Sequence, residues 1–408
     1  MAVGLQAPRH ILPVAGVRLG VAEAGIRYAN RRDLTLIHLA AETQVTGVFT
    51  RNRFCAAPVL VARRHLAMTR GVRALIINTG NANAGTGRAG LQAAEASCRV
   101  VAQHLGCLPE AVLPFSTGVI GESTALAEKI AAVLPGCVEQ LAETRWEAAA
   151  AAIMTTDTIA KACSRQVDID GVTITVTGMA KGSGMIRPDM ATLLAYIATD
   201  APLQGVALQR CLQEAVAQSF NRITVDGDTS TNDACILMAT GHAVLPPIAT
   251  VTDPRYAGLR DAVTAVAQWL AQAIVRDGEG ATKFIPIQIR GGRDEGECLQ
   301  VAYRMAHSPL IKTAFFASDP NWGRLLAAIG SAGVDDLAVD GVQVWLGETR
   351  IVRDGARDPE YTEAAGRAVM AQAEIPVRVD LGRGSAEAQI WTCDLSYDYV
   401  RINADYRS

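Results

Sequence analysis

Residues 167–200 read VDIDGVTITVTGMAKGSGMIRPDMATLLAYIATD, and this stretch carries the main signals for the fold. Residues 167–177 alternate apolar and polar side chains around Asp170-Gly171. That pattern predicts a β-hairpin with a tight turn at the two central residues. Three glycines then predict a loop with unusual backbone angles over residues 178–188, because glycine lacks the Cβ atom that restricts other residues.

Strand-like and helix-like segments alternate on both sides of this stretch. We predict strands over residues 34–39, 48–50, 74–78 and 284–290. We predict helices over residues 91–105, 126–134, 146–153, 208–219 and 254–276. We expect a turn at residues 291–296, an apolar segment at 310–316, and mostly strands over 338–353 and 389–401 around one helix at 361–373. The chain therefore belongs to the mixed α/β or α+β class.

Composition excludes several classes of protein. Half of the 408 residues are hydrophobic and the formal net charge is −3, so a sizeable core is expected and a nucleic-acid-binding surface is not. The nine cysteines form no C-x-x-C pair, which favours reduced thiols, and the six histidines show no metal-ligand spacing, so no metal is expected. Without a signal peptide or a long apolar run, we expect a cytoplasmic protein.

The pair Ala191-Thr192 is a candidate self-cleavage site. The Thr192 hydroxyl beside a small residue suits attack on the Ala191 carbonyl, an N-to-O acyl shift, and release by water of a new N-terminal threonine. The freed α-amine, with an ordinary pKa of about 7.7–8.0, is a suitable base for its own hydroxyl. A phosphate-binding glycine loop or a plain surface turn is the alternative.

Two further segments carry candidate hydrogen-bond donors. In P-F-S-T-G-V-I-G-E, residues 114–122, Thr117 and Gly118 place a hydroxyl next to an unhindered N–H, a pair suited to an oxyanion. The alternative is an ordinary turn or helix N-cap. Asn78, Asn81 and Asn83 suggest a hydrogen-bonding platform, although asparagine and glycine also dominate plain turns.

The last candidates lie in the C-terminal third. Glu279, between two glycines, is suited either to a substrate ammonium group or to a solvated turn. The C-terminal segment contains Val400 and other apolar residues and is expected to dock onto the protein, so that Asn403 and Ser408 reach a ligand. Docking for stability alone is the alternative, because most chain ends are frayed.

Taken together, these motifs resemble the ornithine acetyltransferase family, also called the bifunctional glutamate N-acetyltransferase/amino-acid acetyltransferase. They run from residue 47 to the last residue. The matching segments are GVFTRNRFCAAPV at 47–59, NTGNANAGTG at 78–87, STGVIGE at 116–122, IMTTDT at 153–158, KGSGMIRPDMATLLA at 181–195, DGDTSTND at 226–233, DGEGATKF at 277–284, SDPNWGR at 318–324 and YVRINADYRS at 399–408.

The resemblance implies a processed, two-domain enzyme. Members cleave themselves before the threonine of M-A-T, which gives an α chain of residues 1–191 and a β chain of 192–408 associated as α2β2. The implied fold is a layered α/β catalytic domain over 1–285, similar to self-processed N-terminal-nucleophile amidohydrolase-like proteins. A smaller C-terminal α/β domain would follow over 286–408.

The resemblance also implies the reaction and its residues. An acetyl group would pass from N2-acetyl-L-ornithine to L-glutamate through an acetyl ester on the threonine. No cofactor is implied. Some members also use acetyl-CoA as co-substrate and others only recycle the acetyl group. By matching positions, Thr117 and Gly118 form the oxyanion hole, and the substrate contacts are Thr155 or Thr156, Lys181, Thr192, Glu279, Asn403 and Ser408.

Two positions depart from the family pattern, and two other functions stay open. Gly85 stands where a cysteine is common, and Asp189 stands where asparagine is common, which adds a negative charge near the cleavage site. A self-processed aminopeptidase or amidase would share the nucleophile but release its acyl group to water. A non-catalytic amino-acid or phosphate-binding protein would remain one uncut chain.

Overall fold

A computed structural model describes residues 2–68, 71–122, 125–187 and 193–405. The chain divides into two compact units. The large unit comprises Ala7–Asn221 and Asp228–Ile274, and the small unit comprises Met1–Gln6, Arg222–Gly227 and Val275–Ser408. The domain limits expected from the sequence, 1–285 and 286–408, stay a prediction.

The large unit is a mixed α/β structure, as predicted. Its strands are β1 Val17–Ala22, β2 Leu34–Leu39, β3 Gln44–Phe49, β4 Ala74–Asn81, β5 Val112–Val119, β6 Lys161–Ile169, β7 Val172–Lys181, β8 Leu194–Thr199 and β9 Ala234–Ala239. The helices that begin in it are α1 Ala57–Met68, α2 Gly87–Leu105, α3 Leu126–Glu139, α4 Trp146–Ala152, α5 Gly205–Ala217 and α6 Tyr256–Arg276.

These strands form two sheets. The first has the order β1-β2-β4-β5, with β4 and β5 parallel. The second has the order β3-β9-β8-β7-β6, with β8 and β9 parallel and β7 antiparallel to β8. The predicted hairpin is confirmed as β6 and β7, joined at Asp170-Gly171, both of which have positive φ as a tight hairpin turn requires.

Alternation along the strands places apolar side chains in two cores. Leu75 and Ile77 of β4 lie in one core with Phe115 of β5 and Tyr196 of β8, which packs the two sheets face to face. Ile76 points to the opposite core, which the first sheet shares with α2 and α3. Helix α6 covers the far face of the second sheet, because a Cβ on Gly178 would lie 2.9 Å from Val266. The layers are therefore helix, sheet, sheet and helix.

The small unit has its own sheet and core. The sheet order is β13-β12-β11-β14-β10-β15. The strands are β10 Phe284–Gly292, β11 Gln343–Leu346, β12 Thr349–Arg353, β13 Ala356–Arg357, β14 Val377–Asp380 and β15 Ala386–Cys393. The helices are α7 Glu295–Ala306, α8 Pro309–Phe316, α9 Trp322–Gly330, α10 Glu363–Met370 and α11 Tyr397–Ala404. Its core includes Ile287 of β10, Val301 of α7 and Ile390 of β15.

Several sequence predictions are wrong in detail. The loop expected from residue 178 begins only after Lys181, because the β7 ladder continues to that residue. The turn expected at 291–296 already contains the start of α7, where the Asp294 side chain caps the helix by accepting from the Glu297 N–H. Residues 397–401, expected as strand, belong to helix α11.

Two features of the described residues agree with the composition. All nine cysteines lie in the described ranges and are free thiols, as predicted. Among the helices of residues 2–68, 71–122, 125–187 and 193–405, none is long and apolar enough to cross a membrane.

Candidate active site

At one edge of the second sheet, the last residue of β7 and the first residues of β8 and β9 lie side by side. The predicted cleavage site is close to this edge in the sequence. Lys181, the last residue of β7, pairs with Leu194, the first residue of β8. On its other side Leu194 pairs with Ala234 of β9, and the Ala234 N–H donates to the Leu193 carbonyl at 2.8 Å. Ala191 and Thr192 lie outside the described residues, but Leu193 directly follows them in the chain.

Lys181 is the centre of a polar cluster at this edge. Its Nζ donates to Thr155 Oγ1 at 2.8 Å and to Thr117 Oγ1 at 3.4 Å. Three residues that the family motifs single out therefore meet in one hydrogen-bonded group. The sequence did not decide whether Thr155 or Thr156 contacts the substrate. In the structure it is the Thr155 hydroxyl that accepts the hydrogen bond from Lys181. An accepting hydroxyl keeps its own hydrogen to donate, so Thr117 retains a donor.

Asp157, to which the sequence analysis gave no role, holds this cluster together through its carboxylate. It is buried, and its carboxylate accepts hydrogen bonds from Lys161 Nζ at 2.7 Å, the Gly182 N–H at 2.7 Å and the Thr155 N–H at 2.9 Å. Lys181 Nζ lies 3.9 Å away. The signal in the sequence was the spacing of Asp157 and Lys161, four residues apart directly after the M-T-T motif.

The surroundings of Asp157 favour its charged form. Burial acts to raise the pKa of this carboxyl, but the charges of Lys161 and Lys181 and the hydrogen bonds from Lys161 and the Thr155 N–H outweigh it. The pKa of Asp157 is therefore held below its ordinary value. This carboxylate therefore faces two ammonium groups, Lys161 at 2.7 Å and Lys181 at 3.9 Å.

Asp233 is a second buried carboxyl group close enough to feel the charge of Lys181. This residue precedes β9, is buried, and accepts hydrogen bonds from Ser230. Burial raises the pKa of the Asp233 carboxyl well above its ordinary value, although Ser230 and the charge of Lys181 act in the opposite direction. The Lys181 ammonium group at this edge suits a substrate carboxylate.

The Thr117-Gly118 segment lies at the end of β5, against β4. Gly118 has a φ of +136°, and a Cβ built there would lie 2.2 Å from the Gly80 carbonyl carbon. Only glycine fits this close approach. Asn81, the last residue of β4, donates through Nδ2 to the Glu122 carbonyl at 2.9 Å. Asn78 and Asn83 likewise donate to backbone carbonyls, so these three amides stabilise the protein's own backbone.

In the small unit, Glu279 and Asn403 lie next to each other. Glu279 is 7% exposed, and Asn403 Nδ2 donates to its Oε2 at 2.8 Å. The reading of Glu279 as a solvated turn residue is therefore wrong. Helix α11 does dock, through contacts such as that of Tyr399 Oη with Asp226 at 3.4 Å, but Val400 is 63% exposed and takes no part in apolar docking. Ser408 lies outside the described residues.

A layered α/β unit with two buried or partly buried lysines beside hydroxyl groups is the arrangement expected of an enzyme that acts on small molecules. The comparisons with known proteins are more specific. The ArgJ family model matches residues 18–408. Over all 408 residues the chain is 55% identical to the arginine biosynthesis bifunctional protein ArgJ of Pseudomonas fluorescens (strain Pf0-1), with 100% of each chain covered.

Two solved structures are also similar. One is the arginine biosynthesis bifunctional protein ArgJ from Bacillus halodurans, at 36% identity and a TM-score of 0.49, covering 51% of this chain and 97% of that chain. The other is the ornithine acetyltransferase from Mycobacterium tuberculosis complexed with ornithine, at 34% identity and a TM-score of 0.38, covering 44% and 94%. The family match and the full-length relative decide the identification: the chain belongs to the ArgJ family. It is an enzyme of arginine biosynthesis.

Proposed function

We propose that this enzyme moves the acetyl group of N2-acetyl-L-ornithine to L-glutamate through an acetyl ester on Thr192. The observation that carries the proposal is the Lys181 cluster. Its ammonium group hydrogen-bonds to Thr155 and Thr117 at the edge where β8 begins, directly after Thr192 in the chain.

In this proposal Thr192 is first freed by cleavage of the Ala191–Thr192 bond. The resulting chains, 1–191 and 192–408, stay together and pair as α2β2. The new α-amine then accepts the proton of the Thr192 hydroxyl as this attacks the acetyl carbonyl. The bond between the acetyl carbon and the ornithine nitrogen breaks, and ornithine leaves with that proton on its amine. The glutamate amine then attacks the ester, the bond from the acetyl carbon to the Thr192 oxygen breaks, and the proton lost by the amine passes to that oxygen and restores the hydroxyl.

The proposed contacts follow the chemistry of the two substrates. Both carry an α-carboxylate, for which Lys181 supplies a positive charge. Thr117 and Gly118 donate to the oxygen that becomes negative in the tetrahedral intermediate. Glu279 receives the side-chain ammonium of ornithine. Thr155, Asn403 and Ser408 complete the substrate contacts.

We propose no organic cofactor or metal for this reaction. Acetyl-CoA is an additional acetyl donor to be tested, because the 55% identical relative is named bifunctional. We also propose a cytoplasmic location, which the nine free thiols support.

The test combines processing with transfer. The purified wild-type protein should give two fragments, the second beginning at Thr192 by N-terminal sequencing. Thr192→Ala should give a single chain of 43.1 kDa and no acetylglutamate from N-acetylornithine and glutamate. Thr252→Ala, a matched change at an exposed threonine, should behave as wild type. Acetate release that is independent of glutamate would instead indicate a hydrolase, and an uncut active wild type would refute the proposal.

A further inference from the structure

Asn232 is a buried amide that the proposed reaction does not use. It lies in the T-S-T-N-D segment before β9 and is 6% exposed. Its own loop fixes its orientation, because Oδ1 accepts from Thr231 Oγ1 at 2.6 Å and its backbone N–H donates to Ser230 Oγ at 3.1 Å. With Oδ1 held by a donor, the Nδ2 hydrogens point away from this loop.

Both Nδ2 hydrogens are used on two neighbouring segments of the chain. Asn232 Nδ2 donates to the Ala82 carbonyl at 2.6 Å and to the Ser116 carbonyl at 2.9 Å. Because an amide NH2 has two hydrogens, its donor capacity is filled. Ser116 immediately precedes the Thr117-Gly118 pair, so one of the two bonds fixes the backbone next to the proposed oxyanion donors.

These bonds connect the two sheets of the large unit. Asn232 leads into β9, which pairs with β8 in the second sheet, whereas Ser116 lies on β5 of the first sheet. Ser116 is also held from its side chain, since its hydroxyl donates to Asn78 Oδ1 at 2.5 Å. The segment that carries Thr117 and Gly118 is therefore tied to the sheet that carries Lys181.

We propose that Asn232 is a positioning residue, which sets the place of the Thr117-Gly118 donors relative to Lys181 and the start of β8. This inference rests on the proposed acetyl transfer. Oxyanion donors act in the transition state only when they lie within hydrogen-bond reach of the developing charge. A shift of their segment should therefore slow turnover and leave substrate affinity nearly unchanged.

Two variants test this role. Asn232→Ala removes the hydrogen bonds to both the Ala82 and Ser116 carbonyls. Asn232→Asp keeps the size and the Oδ1 acceptor but turns an oxygen toward the same carbonyls. We expect kcat for acetyl transfer to fall by about 10–100-fold in both, with KM for N-acetylornithine within about twofold of wild type because ground-state contacts are retained.

The matched control is Ser219→Ala in the same unit. It removes a buried hydrogen bond, from Ser219 Oγ to the Ala215 carbonyl at 2.6 Å, with little change in volume and away from the cluster. Its kcat should stay within about twofold of wild type, because a loss of stability alone does not change a turnover number measured on folded enzyme.

The outcomes separate this inference from the proposed function. If kcat of both Asn232 variants equals that of wild type, or if only KM rises, the positioning role is refuted while acetyl transfer stands. If Thr192→Ala keeps transferring acetyl groups, the proposed function itself fails. If either variant is unfolded or uncut, Asn232→Gln replaces it, because this variant keeps the two donors on a longer side chain. Its kcat and its KM for N-acetylornithine are then compared with those of wild type by the same criteria.

Discussion

The carboxylate of Asp157 and the ammonium group of Lys161 lie 2.7 Å apart, and both side chains are fully buried. The same carboxylate accepts the Gly182 N–H, one residue beyond Lys181. The pair therefore fixes the end of β7 and with it the direction from which Lys181 enters the site. Buried ion pairs of this kind add little net stability, because desolvation offsets most of the attraction. Their removal one partner at a time is nevertheless costly.

Asp157→Asn should lower the free energy of unfolding by about 3–5 kcal/mol, because the buried Lys161 ammonium group loses the carboxylate that pairs with it at 2.7 Å. Urea denaturation followed by circular dichroism measures the change. The double variant Asp157→Leu with Lys161→Met should recover most of the loss, since neither charge then remains. A single variant as stable as wild type would show that Lys161 finds another partner.

Asp233→Asn should change how stability depends on pH. The pKa of the Asp233 carboxyl is raised in the folded protein, so the folded state holds this proton more tightly than the unfolded state does. The resulting contribution is complete below the unfolded pKa of about 3.9 and is lost as pH rises toward the folded value. The variant lacks this titration.

Urea midpoints of wild type and Asp233→Asn, measured from pH 4 to 8, provide the check. Relative to the variant, wild type should lose stability as pH rises. The exposed Asp261→Asn, whose side chain is 68% accessible, is the control and should follow wild type. Parallel curves for wild type and Asp233→Asn would contradict the burial argument.

Turn chemistry and motifs predicted part of this architecture, and tertiary contacts decided the rest. The β6–β7 hairpin followed from Asp170-Gly171, because a local pair of residues determines such a turn. Helix α11 was missed because Val400 and Ile402 have strand propensity. That weak preference is overridden where the segment docks by polar contacts such as Asn403 to Glu279.

The same distinction applies to the site. Lys181, Thr155 and Thr117 could be named from family motifs, and the structure brings them together. The roles of Asp157 and Asn232 could not, although both lie in quoted motifs. Asp157 and Lys161 are only four residues apart, but this spacing does not show that the pair is buried beside Lys181. Asn232 donates to carbonyls that are 150 and 116 residues away in the sequence, and no local pattern encodes those contacts.

Glu279→Gln should weaken the binding of N-acetylornithine if Glu279 holds the ornithine ammonium. A hydrogen bond to a charged partner contributes about 1.5–3 kcal/mol, so KM for N-acetylornithine should rise by about 10–100-fold. KM for glutamate, which has no side-chain ammonium, should change less. Initial rates with each substrate varied in turn give both constants.

The control for that change is Asp398→Asn on α11, whose carboxylate is 59% accessible and pairs with Arg401. Its KM values should equal those of wild type, since a surface ion pair contributes little. Equal increases in both KM values for Glu279→Gln would indicate that the residue supports the fold of the loop and does not discriminate between the substrates.

Gly118→Ala and Gly121→Ala should differ sharply, although both glycines have positive φ, +136° and +82°. At Gly118 a Cβ would lie 2.2 Å from the Gly80 carbonyl carbon and 2.5 Å from the Asn81 nitrogen. Both are backbone atoms that cannot rotate away, so β5 must move off β4 and carry the Thr117 hydroxyl with it. At Gly121 no described atom lies within 4 Å of the added carbon, so only backbone strain remains, about 1–2 kcal/mol.

Gly118→Ala should therefore reduce kcat by about 100-fold or more, whereas Gly121→Ala should lower the melting temperature slightly and keep its turnover. Steady-state rates and thermal melts of the two variants decide the matter, and an active Gly118→Ala enzyme would mean that this segment does not supply the oxyanion donors.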